Sequence, residues 1–186
     1  MNKYIVFLLA FASAPGVVSA VEFGLGVTLE SESSGGGNML LVPIALSPTF
    51  LVEPFYYENS AKVTSFLGVS GDDIGFDISE TGVGLFYRSP IKESVNFYLG
   101  ARGGYRIQEY KYDSAGRETR ENLYGYSVTP ILGLQYQILP TLWLGGEAGW
   151  SYRKIEGKNS GSLSGESKRS SESDRTETRV VLRYLF

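Results

Sequence analysis

Val21-Glu22-Phe23-Gly24-Leu25-Gly26-Val27-Thr28-Leu29-Glu30 decides the fold class. Every odd position is apolar, and every even position is Glu, Gly or Thr. Successive side chains of a strand point to opposite faces, so this stretch has one apolar face and one polar or small face. A helix would mix the two sets on every turn.

The same period returns along the chain. Val95, Phe97, Leu99, Ala101, Gly103, Tyr105 and Ile107 alternate with Asn96, Tyr98, Gly100, Arg102, Gly104, Arg106 and Gln108. Leu132, Leu134 and Tyr136 alternate with Gly133, Gln135 and Gln137, and Leu144, Gly146 and Ala148 with Gly145, Glu147 and Gly149. Two stretches are less regular. Met39 to Leu46 is apolar on both faces and contains Pro43, and Phe50 to Tyr57 carries Glu53 beside Pro54. Proline removes a ladder hydrogen bond, so each marks a bulge or a weakened site within a strand.

Eight strands are expected, over about 21–31, 38–47, 50–62, 77–89, 94–112, 123–139, 141–156 and 176–186. Their connections alternate in length. Ser47-Pro48-Thr49, Ser89 to Glu93 and Leu139-Pro140-Thr141 are tight turns, whereas Ser31 to Asn38, Thr64 to Asp77, Asp113 to Asn122 and Gly157 to Arg175 are long and polar. Gly157 to Arg175 is rich in Ser and Gly and is expected to be mobile. The predicted fold is all-β: an eight-stranded antiparallel up-and-down transmembrane β-barrel over residues 21–186, with short turns at one end and long loops at the other.

The start of the chain is a different kind of segment. Lys3 precedes an apolar run from Tyr4 to Ala12, and small residues follow up to Val18-Ser19-Ala20. A short positive start, an apolar core too short to span a bilayer and small residues before a cut site describe a signal peptide over residues 1–20. Cys and His are both absent. An exported chain without Cys has no disulfides, and one without His cannot assemble a Ser-His dyad or triad. A formal net charge of −3 offers no clustered cationic surface, so nucleic acid is not an expected partner.

Alternation alone does not say which face meets lipid. Here the charges Glu22, Glu30, Glu80, Arg102, Arg106, Glu147 and Arg153 share a face with most of the Gly, Ser and Thr. The interior of a narrow barrel is filled by side chains, and small residues beside long charged ones suit a hydrated, ion-paired interior. Tyr56, Tyr87, Tyr98, Tyr112, Tyr124, Tyr152 and Tyr184 are candidates for interfacial girdles. The chain ends Val180-Val181-Leu182-Arg183-Tyr184-Leu185-Phe186, a strand closing on Phe with an aromatic residue two places before it.

That ending resembles the last strand of bacterial outer-membrane barrels. Phe97-Tyr98-Leu99-Gly100-Ala101-Arg102-Gly103-Gly104-Tyr105 and Leu144-Gly145-Gly146-Glu147-Ala148-Gly149 are similar to strands of the small barrels related to outer-membrane proteins A, X and W and the opacity-type proteins. The resemblance implies a cell outer-membrane location in a Gram-negative bacterium, contact with outer-membrane lipid and lipopolysaccharide, and reading of Tyr184 and Phe186 by the barrel-assembly machinery. Enzymes of this size class, the lipid-A deacylases and palmitoyltransferases, depend on His, so the resemblance does not extend to them.

No catalytic, cofactor-binding or metal-binding residue is assigned. Glu22, Glu80 and Glu147 are expected to pair with Arg102, Arg179 and Arg183 inside the barrel, because an unpaired buried charge costs several kcal/mol. Asp72, Asp73 and Asp77 fit no metal-loop spacing and read as a solvated acidic loop. Binding is expected in the long loops, with Phe66 and Phe76 as candidate contacts for a surface ligand. The expected role is structural or surface-interacting; small-solute transport or ligand binding within the barrel is the alternative.

Overall fold

The computed structural model describes residues 21–30, 37–64, 73–114, 117–159 and 167–186. The expected signal peptide and Phe66 lie outside the described residues. Nine strands are formed: β1 (Glu22–Glu30), β2 (Asn38–Leu41), β3 (Ile44–Ser47), β4 (Phe50–Thr64), β5 (Asp73–Lys92), β6 (Val95–Ser114), β7 (Arg117–Leu139), β8 (Leu142–Asn159) and β9 (Ser167–Leu185). All pairings are antiparallel, and β1 pairs with β9 to close the ring. Both β2 and β3 lie between β1 and β4, so they are two pieces of one stave broken at Val42 and Pro43. The ring therefore has eight staves. Proline has no N–H to give the ladder, and the Val42 amide spans the break by donating to Pro54 O at 2.9 Å.

The barrel is inside out relative to a water-soluble protein. Phe23, Leu25, Val27 and Leu29 of β1 are exposed, whereas Gly24, Gly26 and Thr28 are buried. On β7 the exposed row is Tyr124, Tyr126, Val128, Pro130, Leu132, Leu134, Tyr136 and Ile138. Meanwhile Glu53, Arg102, Glu147 and Arg183 are all buried. Water would reverse both placements; a hydrocarbon solvent requires them. At about 3.3 Å per residue and a tilt near 40°, the β7 row covers roughly 35 Å of bilayer normal, enough for an apolar band of about 25 Å with an aromatic rim on each side. Tyr56, Tyr87, Tyr124 and Tyr184 stand exposed in those rims. Tyr98 does not: it is fully buried inside the barrel, because it shares a face with Arg102 and Gly100.

Five strands are far longer than a bilayer needs. β5 to β9 have 18 to 23 residues each, against about 9–11 for a membrane crossing. They extend past the belt at the end opposite the short turns, while β1 stops at Glu30. Among the described residues the wall is thus tallest over β5–β9. Here the structure corrects the expected loops. Residues 77, 123 and 176 are not strand starts: β5 begins at Asp73, β7 at Arg117 and β9 at Ser167. Above the membrane both faces of a strand meet water, so pairing continues without apolar alternation to reveal it. Much of the Ser-rich 157–175 stretch, expected as a mobile loop, is accordingly strand.

Candidate functional site

The barrel interior carries the densest chemistry, and cross-strand pairing explains how it fits. Tyr98 on β6 lies opposite Gly133 on β7, Phe86 on β5 opposite Gly100 on β6, and Arg102 on β6 opposite Gly84 on β5. Each long side chain faces a residue that has none. A Cβ on Gly133 would come within 2.3 Å of Tyr98 Cζ, and one on Gly100 within 2.7 Å of Phe86 Cδ1. These glycines are there to admit their neighbours' arms.

The innermost cluster is built from six strands, β4 to β9. Arg102 donates through Nη1 to Glu147 Oε2 at 2.5 Å and through Nη2 to Glu147 Oε1 at 2.9 Å and Glu53 Oε1 at 2.5 Å. Arg183 donates through Nε to Glu53 Oε2 at 2.6 Å and through Nη2 to Glu53 Oε1 at 3.3 Å and Glu147 Oε1 at 2.9 Å. The Tyr98 hydroxyl donates to Glu147 Oε1 at 2.8 Å, and Arg183 Nη1 reaches Gln135 Oε1 at 3.3 Å. Phe86 and Tyr98 meet edge to face at 5.7 Å, with Arg102 over the first ring and Arg183 over the second. Two guanidinium groups and two carboxylates cancel, and forked geometry satisfies the carboxylate oxygens, the condition for tolerating charge away from water.

Toward the tall end the filling continues. Glu80 accepts from Arg106 at 3.4 Å and from Ser127. Glu177 accepts from Arg153, Arg175 and Arg179. Beside these charges lies an apolar cluster of Met39, Leu41, Phe55, Tyr57, Ile78 and Val181. The interior is therefore mixed, not simply polar.

Of the six residues expected in one internal network, the structure joins Arg102, Glu147 and Arg183 directly. Glu80 and Arg179 are buried but belong to the two outer groups. Glu22 departs from expectation. It is exposed at the first position of β1, on the rim with the short turns, within electrostatic reach of the buried Arg88. Facing inward is not enough there, because the barrel has already opened to water. Phe76 departs as well. It sits on β5 rather than in a loop and packs on the apolar cluster, since it shares the inward face with Ile78 and Glu80. Glu53, the most enclosed acid, was missed. Its signal was the inward row Leu51, Glu53, Phe55 and Tyr57, obscured by the neighbouring Pro54.

Outside the barrel, Tyr184 and Phe186 stand exposed with their rings 6.1 Å apart. The Phe186 backbone exchanges two hydrogen bonds with Phe23, at 2.7 and 3.2 Å, so the last residue helps seal the ring. Above the belt, Asp77 accepts from Lys111 on the outer surface. That hydrogen bond, aided by the Ser60 hydroxyl, holds the Asp77 carboxyl below the usual aspartate range.

No family model matches the chain, and no curated protein matches it by sequence. Solved structures do match its fold. Neisserial surface protein A has a TM-score of 0.53 and 16% identity over 89% of this chain and 96% of that one. Ail, the attachment invasion locus protein of Yersinia pestis, has a TM-score of 0.50 and 17% identity over 89% of this chain and 96% of its own. A major outer membrane protein from Thermus thermophilus has a TM-score of 0.54 and 13% identity over 90% and 100%. At such identities the likeness is one of fold, and that fold is the small outer-membrane β-barrel.

Proposed function

We propose that the protein is an integral component of the cell outer membrane that acts at the surface through its extracellular end and conducts no solute. One observation supports this reading above others. Glu53, Tyr98, Glu147, Arg102 and Arg183 fill the barrel from wall to wall and are nearly inaccessible to water. An eight-stranded ring has room for side chains or for a passage, not both. What projects beyond the membrane is a tall sheet rather than a pore mouth, and such a sheet suits contact with other molecules. Among the fold neighbours, one is named a surface protein and another an attachment invasion locus protein, determined also with a heparin analogue. Phe66 remains the apolar residue proposed for ligand contact. Lipid and lipopolysaccharide surround the belt, and the Tyr184 and Phe186 end is the mark read by the barrel-assembly machinery.

Planar-bilayer recording tests the reading. Purified barrel should leave the membrane insulating. Stable unitary currents that persist across preparations would instead favour the small-solute alternative.

A further inference from the structure

Between the innermost cluster and the tall end, two guanidinium groups are buried without matching acids. Arg106 on β6 and Arg153 on β8 are 6% and 9% exposed. Both face inward: Arg106 lies two inward positions above Arg102, and Arg153 three above Glu147. The stave between them is β7. There Gly125 stands opposite Arg106 and Ser127 opposite Arg153, so only a glycine and a serine separate the two arginines. Arg106 lies within electrostatic reach of Arg153 and repels it.

The acids nearby do not balance them. In the innermost cluster two guanidiniums face two carboxylates through close, forked contacts. Among the described residues, Arg106 meets a carboxylate only at Glu80, at 3.4 Å, and Glu80 also accepts from Ser127. Arg153 meets only Glu177, which it shares with Arg175 and Arg179. Glu30 lies opposite Arg179 in the ladder, and Glu121 lies beyond the buried Leu123 on β7, so neither is a ladder neighbour of Arg106 or Arg153. Nε of Arg106 and Nε of Arg153 are buried with no hydrogen-bond partner among the described residues. A buried cation with unmet donors is costly, and an anion that meets them relieves the cost.

The position admits such an anion from water. Arg175, on the same carboxylate as Arg153, keeps a third of its side chain exposed, whereas Arg102 and Arg183 below are sealed. Water therefore reaches the upper side of the group, and the innermost cluster closes its floor. Beneath Arg153 the inward side chains are short: Ser151 and Gly149 on β8 and Thr129 on β7. Guanidinium N–H groups on two staves suit an acceptor with several oxygens and more than one negative charge. We propose that Arg106 and Arg153 hold a small tetrahedral oxyanion with the chemistry of inorganic phosphate, taken up from the tall end of the barrel. The site goes beyond the surface-contact reading and does not depend on it. A lipid headgroup carries the same phosphate, but it lies outside the wall, and both arginines face inward.

The test uses the full chain refolded in dodecyl maltoside micelles without phosphate, and radiolabelled orthophosphate read by equilibrium dialysis. Wild-type barrel should bind one phosphate saturably. Arg106→Gln and Arg153→Gln should each weaken binding about tenfold, the loss expected for a charge-assisted hydrogen bond. Lys111→Gln removes a cation from the outer surface and should leave binding unchanged. Absence of saturable binding overturns the proposal, and so does binding that Lys111→Gln weakens and the two arginine variants do not. Phosphatidic acid added to the micelles should not compete. Competition would place the bound phosphate on the outer wall and overturn the internal site. If either Gln variant does not fold by heat-modifiable gel mobility, Arg106→Lys and Arg153→Lys keep the charge and lose the fork. These should weaken binding by a smaller factor, and affinity equal to wild type in both overturns the pair.

Discussion

Arg183 and Glu53 stand 130 residues apart in sequence and meet inside the barrel through two contacts, Nε to Oε2 at 2.6 Å and Nη2 to Oε1 at 3.3 Å. The pair joins the last stave to β4 across the ring. Both side chains are almost wholly removed from water, so neither can be deleted alone without stranding a charge.

Glu53→Met and Arg183→Met should each destabilise the folded barrel by about 3–5 kcal/mol, whereas the double variant should cost much less than the two singles added. Urea unfolding in liposomes, followed by tryptophan fluorescence, measures all four proteins. Additive losses would show that the two side chains do not act as a pair.

Gly133→Val should destabilise by about 1–3 kcal/mol through overpacking, because its Cβ falls on the Tyr98 ring. Combining it with Tyr98→Ala should remove the clash while losing the Tyr98 hydrogen bond to Glu147. Gly146→Ala is the control. A Cβ there meets nothing within 4 Å, and its unfolding midpoint should not move.

Amide hydrogen exchange should alternate along upper β9. The Ser171 and Ser173 amides turn to β8 and should exchange slowly; those of Glu172 and Asp174 turn to the side that no described strand pairs and should exchange fast. Uniformly slow exchange would mean that another segment covers that side.

The belt was legible in the sequence and the tall wall was not, for one physical reason. Alternation arises only where two faces of a strand meet different solvents. Within the bilayer, β1 shows it at every step and β7 at every step but the inward Ile131; above the bilayer, the upper parts of β7 and β9 have water on both sides and read as polar loop. The same limit misplaced Phe76, which continues the inward row of β5 at a level where alternation is already fading. Inside the barrel, Arg102, Glu147 and Arg183 could be read as partners from their shared face. Glu53 could not, because Pro54 broke the pattern around it, and Glu22 was overread because facing inward at the rim does not bury a side chain.

Phe186→Asn should reduce the folded barrel in cells while leaving refolding in detergent largely intact, since the proposed assembly mark lies in the aromatic side chain and the ring seal lies in the Phe186 backbone. Cell fractionation with heat-modifiable gel mobility separates the two effects. Equal losses in both settings would make Phe186 a packing residue only.

Because the chain has no Cys, single thiols can be placed without background. Leu132→Cys lies in the middle of the exposed β7 row and Glu156→Cys on the outer surface above it. Each is labelled with an environment-sensitive fluorophore and reconstituted into vesicles, then quenched either by brominated acyl chains or by aqueous iodide. The label at 132 should be quenched by the brominated lipid and spared by iodide, and the label at 156 the reverse. Iodide quenching at 132 with none from lipid would contradict an apolar wall facing the bilayer and a charged interior within it.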